Sequence, residues 1–112
     1  MDWGKVFFIF FTLMSLTTTA GFLYEDNATA LFIAASINLV STLLKIGVKN
    51  VLAAELFASS LVADLHLIPA FIILVLYNNL TIAITLAIGA VIANAFSIGL
   101  VLIEAAKTRE EF

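Results

Sequence analysis

The sequence predicts an all-α fold: a transmembrane bundle of four helices, arranged as two antiparallel hairpins with both termini cytoplasmic. Three observations lead there. Hydrophobic residues make up 63% of the 112-residue chain and charged residues 12%, against about 45–50% and about 25% in soluble domains. Four apolar runs, each near the ~20 residues that cross a bilayer, are separated only by short polar segments. On four crossings, every lysine and arginine falls to one side.

Composition also removes several classes of function. A soluble domain of this size leaves much of its area in water and could not hide so much apolar surface. Five lysines and arginines against eight acidic residues form no basic patch, so no nucleic-acid partner is expected. The chain has no cysteine, which excludes a disulfide scaffold and a thiolate metal site. Its apolar content is the opposite of a disordered chain's.

The runs cover residues 6–23, 28–44, 51–76 and 80–103, and residues 1–112 are read as a single integral membrane domain. Peptide groups cannot stay unpaired in hydrocarbon, so each run must be helical. The alternation of polar and apolar residues that marks a membrane barrel is missing. The first run has one feature of a secretory signal, the small residues Thr17-Thr18-Thr19-Ala20 before Gly21. Its basic region is a single Lys5 offset by Asp2, however, so it is read as a helix. Connections this short make consecutive helices antiparallel neighbours.

Cations orient the bundle. Lys5 precedes the first run, Lys45 and Lys49 lie between the second and third, and Lys107 and Arg109 follow the fourth. The other two turns carry Glu25, Asp26, Asn78 and Asn79 and no cation. Positive residues stay on the cytoplasmic side. Tyr24 and Tyr77 then mark the outer interface and Trp3 the inner one. The expected location is the bacterial inner membrane, as a multi-pass protein.

Against this background a few polar residues stand out. Glu55, Asp64 and His66 lie in the third run. Glu55 is close enough to the inner end to anchor at the interface. Asp64 and His66 fall near the midpoint, at a depth shared by Asn38, Asn94, Ser15 and Thr17. A mid-bilayer aspartate costs about 2.5–3.5 kcal/mol even on the lenient insertion scale, so an internal polar cluster is expected. Asp64 and His66 are about 200° apart on a regular helix and should not touch. Pro69 removes a backbone bond from the carbonyl of Leu65 and predicts a kink that bares polar backbone near them.

Small residues mark helix contacts. Ala30, Ala34, Asn38 and Thr42 form one stripe, Gly89, Ala93 and Ser97 a second, and Ala87, Ala90 and Asn94 a third. Shifting the chain by half its length aligns Thr29, Ala34, Asn38, Ser41 and Leu44 with Thr85, Ala90, Asn94, Ser97 and Leu100. This half-repeat predicts that Asn38 and Asn94 approach each other near a pseudo-two-fold axis.

No Gly-rich phosphate loop, metal-ligand spacing or nucleophile–base order is present. An enzyme is not expected, nor a cofactor. The leading expectation is a homo-oligomeric channel or proton-linked transporter for an ion or small solute. Asp64, His66, Asn38 and Asn94 would bind the ion or proton, and Pro69 would gate. The alternative is a non-catalytic accessory or scaffold subunit of a larger membrane complex. A wet cavity lined by Asp64 and His66 would favour transport; their burial with every bond satisfied would favour the scaffold.

Overall fold

The computed structural model describes residues 3–46 and 52–107. Four helices follow one another: α1 (Trp3–Glu25), α2 (Ala28–Leu44), α3 (Ala53–Tyr77) and α4 (Leu80–Lys107). They coincide with the four apolar runs, α1 and α4 extending a few residues beyond theirs. Helices α1, α3 and α4 are long and apolar enough to cross a membrane. Helix α2 is shorter, at 17 residues, or about 25 Å of helix. Lys49, Arg109 and the start of the third run lie outside the described residues, as does the side chain of Lys107.

Each helix packs on its neighbour in the chain, and α4 closes the ring against α1. The diagonals, α1 with α3 and α2 with α4, do not approach within 8 Å between Cα atoms among the described residues. The bundle measures 49 × 22 × 20 Å, so the helices run along its long axis.

The α1–α2 and α3–α4 turns use one device. A left-handed residue, Asp26 (φ 55) or Asn78 (φ 51), ends the helix, a conformation that Asn and Asp tolerate better than most side chains. An asparagine then caps the next helix. Asn27 Oδ1 accepts the Ala30 N–H at 2.7 Å, and Asn79 Oδ1 accepts the Ile82 N–H at 3.1 Å. Such caps satisfy backbone donors that a helix start leaves open. Counted from these equivalent turns, Asn94 lies about one helical turn deeper than Asn38, ~6 Å.

The packing is inverted relative to a soluble bundle. Of the fourteen buried hydrophobic residues described, eight are alanine. Twelve more buried residues are polar or charged. Large side chains point outward instead: Leu65 and Leu76 are each 71% exposed. Lipid solvates these chains as well as a protein core would, so association rests on close backbone approach and internal hydrogen bonds. The stripes of α2 and α4 serve this packing within one chain: Ala34, Asn38, Thr42, Ala87, Ala90, Ala93, Asn94 and Ser97 are all buried.

Helix α3 continues through Pro69 to Tyr77. Pro69 lies about 140° around the helix from Asp64 and about 60° from His66. The carbonyl it frees, that of Leu65, belongs to a residue whose side chain faces outward.

His66 is half-buried on the α4 side of α3. Its Nδ1 lies 2.7 Å from the Val62 carbonyl, so Nδ1 carries the donated proton. The ring covers Gly89, where an added Cβ would stand 2.5 Å from His66 Cδ2. No such approach is tolerated without movement. Gly89→Ala should destabilise the bundle by about 1–3 kcal/mol, as overpacking does. Adding His66→Ala should recover much of the loss, as read by thermal unfolding in detergent.

Candidate functional site

The site lies between α2 and α3. Asn38 and Thr42 stand one turn apart on α2, so both side chains meet the same face of α3. Ser60 and Asp64 stand one turn apart on α3 and answer them. Asp64 is 6% exposed and Asn38 1%. Asn38 Nδ2 donates a short hydrogen bond to Asp64 Oδ1 and lies 3.4 Å from the Ser60 carbonyl. Thr42 Oγ1 donates to Asp64 Oδ2 at 2.7 Å. Both carboxylate oxygens are thus held, one by an amide and one by a hydroxyl.

Thr42 has a second acceptor within reach, the Asn38 carbonyl at 2.9 Å. Its hydroxyl carries one proton and can donate to one of them at a time. With Asp64 ionised, the proton faces the carboxylate. With Asp64 protonated, the carboxyl O–H can donate to Thr42, which turns its own proton to the Asn38 carbonyl. Thr42 therefore has a hydrogen-bonding role open to it in either protonation state of Asp64.

Lys45 completes the cluster, a role its position in the sequence does not reveal. It is the C-cap of α2, its N–H bonded to the Thr42 carbonyl at 3.0 Å. Its side chain turns into the bundle and is 3% exposed. Nζ donates to Ser41 Oγ at 3.2 Å and makes a short bond to Ser60 Oγ. It also lies 5.8 Å from the centre of the Phe8 ring of α1, within cation–π range. A cation expected at the interface thus stands inside, facing the buried carboxylate's helix.

The remaining polar residues fall elsewhere. Asn94 Nδ2 lies 3.4 Å from Thr19 Oγ1, and Thr19 donates in turn to the Ser15 carbonyl at 2.6 Å. This is an α1–α4 contact. Thr17, expected in the layer, is exposed and bonds back to the Met14 carbonyl. Ser59 and Ser97 share a short hydroxyl–hydroxyl bond that ties α3 to α4. Asn38 and Asn94 are both buried but on diagonal helices, with separate partners. The single layer of the sequence reading resolves into separate seams, and of its site residues only Asn38 and Asp64 meet.

An open groove of about 450 Å³ runs along the outside of α3 and α4. Glu55, Ser59, Val62, Gly89, Ala93 and Phe96 are among its lining residues, and neither Asp64 nor His66 is. Among the described residues no three His, Cys, Asp or Glu side chains come together to hold a metal.

These features describe a small helical protein with membrane-type packing and a buried polar site. The chain belongs to a family of unknown function, DUF6394, whose model matches residues 25–105. That stretch contains the whole α2–α3 cluster. No curated protein and no solved structure matches the chain.

If Lys45 and Asp64 act as one unit, their substitutions are not additive. Lys45→Met leaves a buried carboxylate and Asp64→Asn a buried ammonium, whereas the double variant leaves neither. The double variant should be more stable than the sum of the single losses by about 0.5–3 kcal/mol, measured by chemical unfolding in detergent followed by circular dichroism.

Proposed function

We propose that this protein is a cation- or proton-binding membrane transport protein whose site is the Lys45–Asp64 cluster between α2 and α3. The observation that carries the reading is a carboxylate and an ammonium buried in one cluster whose bonding is incomplete, Asn38 Oδ1 having no donor. A scaffold does not require them, because apolar side chains of similar volume hold helices together as well or better. Ionisable groups at membrane depth mark ion pathways and proton relays more often than packing. Asp64 binds the proton or cation, Asn38 and Thr42 position the carboxylate, and Lys45 supplies the opposing charge. The tightly filled interior favours a homo-oligomer as the working unit. The residues of the site leave His66, Asn94 and Pro69 as packing elements.

A second reading is favoured by the other half of the same geometry. Both Asp64 oxygens are bonded within the chain, and the α3–α4 groove does not reach them. This supports a non-catalytic accessory subunit whose outer faces dock on partner helices. Reconstitution separates the two. Asp64→Asn should lower proton or monovalent-cation flux into liposomes at least tenfold. Equal flux in the wild type, the variant and empty liposomes, with a partner protein that co-purifies, favours the accessory role.

The distribution of the cations supports an N-in, C-in chain with Asp26 and Asn78 outside. Because the chain lacks cysteine, single replacements report on it cleanly. Glu25→Cys should react with an impermeant maleimide added to intact cells. Gly4→Cys should react only after permeabilisation; the reverse pattern would invert the topology.

A further inference from the structure

We infer that α2 and α3 form a monovalent-cation site that Lys45 closes from within, its ammonium holding two of the oxygens that a sodium- or potassium-sized ion would draw on. The inference deepens the transport reading by naming the substrate class, and it rests on that reading.

The donor set is the first argument. The cluster brings the hydroxyl oxygens of Ser41 and Ser60, held by Lys45, next to an Asp64 carboxylate held by Thr42 and by Asn38, whose side-chain carbonyl is open. All are hard oxygen ligands, the kind that alkali and alkaline-earth cations take. Only one carboxylate is present, which matches a single positive charge. Nitrogen and sulfur ligands suited to transition metals do not contribute.

Orientation is the second. Lys45 Nζ donates to Ser41 Oγ and Ser60 Oγ, and an ammonium can only donate. Both hydroxyls therefore present lone pairs to the position of Nζ, as they would to a metal ion. The protein has already turned these oxygens toward a positive charge.

An unpaired oxygen is the third. Asn38 Oδ1 is buried and has no hydrogen-bond partner. It sits on the same carboxamide whose Nδ2 donates to Asp64. Buried acceptors without a donor are uncommon and costly. A cation in the cluster would give this oxygen a partner that Lys45, engaged with the two serines and the Phe8 ring, does not provide.

Lys45 is thus a tethered competitor. A free cation enters when the side chain withdraws toward the inner end of the bundle, and leaves when it returns. Removing the tethered charge should then uncover the site. The test compares wild type and Lys45→Met in detergent, in lithium, sodium or potassium chloride, against N-methyl-D-glucamine chloride at equal ionic strength. The melting temperature of the wild type should not distinguish these salts. Lys45→Met should gain a saturable rise of about 4–8 °C with at least one alkali cation, the shift expected for roughly 1 kcal/mol of binding in a domain of this size. Lys45→Met combined with Asp64→Asn should lose it. Lys45→Gln serves if the methionine variant does not fold. A folded Lys45 variant that responds to none of the three cations overturns the site. Should Asp64-dependent proton flux persist alongside that result, the transport reading stands and the cation site alone is removed.

Discussion

Water is missing from the middle of a bilayer, and the bundle is organised around that fact. A polar group there must find its partner within the protein. Along α1 the solution is local. Thr12 and Ser15 donate to the carbonyls of Phe8 and Phe11, each at 2.8 Å, and Thr19 donates to that of Ser15. Hydroxyls satisfied on their own helix can line an interface without needing a partner across it. Small size then becomes their contribution: with alanine they let four backbones approach closely. Large apolar chains are pushed outward, where lipid receives them at no loss. The inverted packing and the self-bonded hydroxyls are two consequences of one solvent.

Asp64 cannot be satisfied that way, since a carboxylate has no donor of its own and needs several from other residues. Its partners come from α2, and this shapes the α2–α3 interface. The short length of α2 matters here. Ending at Leu44, it places Lys45 within reach of Ser60 rather than out at the interface. The same position puts a cation at a helix C-terminus, where the backbone dipole favours it. A longer α2 would carry the ammonium out to the headgroups and leave Asp64 buried without an opposing charge nearby. Helix length and site chemistry are therefore coupled: the one helix below the usual spanning length is the one whose end is used.

The four helices were legible from the apolar runs because hydrocarbon allows no other structure for such stretches. Asp64 and Asn38 were legible by type, a carboxylate and an amide where neither is free of cost. The separation of Asp64 from His66 also followed from helical phase alone. What the sequence could not show was direction at the ends and depth across helices. Lys45 reads as one more interfacial cation until the end of α2 is known to pack against α3. Thr17 and Thr19 differ by two residues, and only the bundle decides that Thr19 faces inward. The half-repeat matched residue types one turn out of step with the turns, which is why Asn38 and Asn94 have different partners. Pro69 was placed near the site by sequence proximity, yet angular position around α3 sets it on the other side.

A purely structural lock and a working ion site make different demands on the same residues. A lock gains most from fixed donors, each aimed at one acceptor. Thr42 is not such a donor, because its single proton has two acceptors in range, the Asp64 carboxylate and the Asn38 carbonyl. Valine would fill the same volume but leave Asp64 Oδ2 without its donor. The hydroxyl holds the ionised carboxylate as a donor and can also serve a protonated carboxyl as an acceptor. Lys45 and the unpaired Asn38 oxygen point the same way: the cluster holds one more acceptor than its resident ammonium uses. The acceptor left open is what distinguishes this interface from the α1–α4 and α3–α4 seams, where each described hydroxyl and amide contact closes on its neighbour or on its own helix.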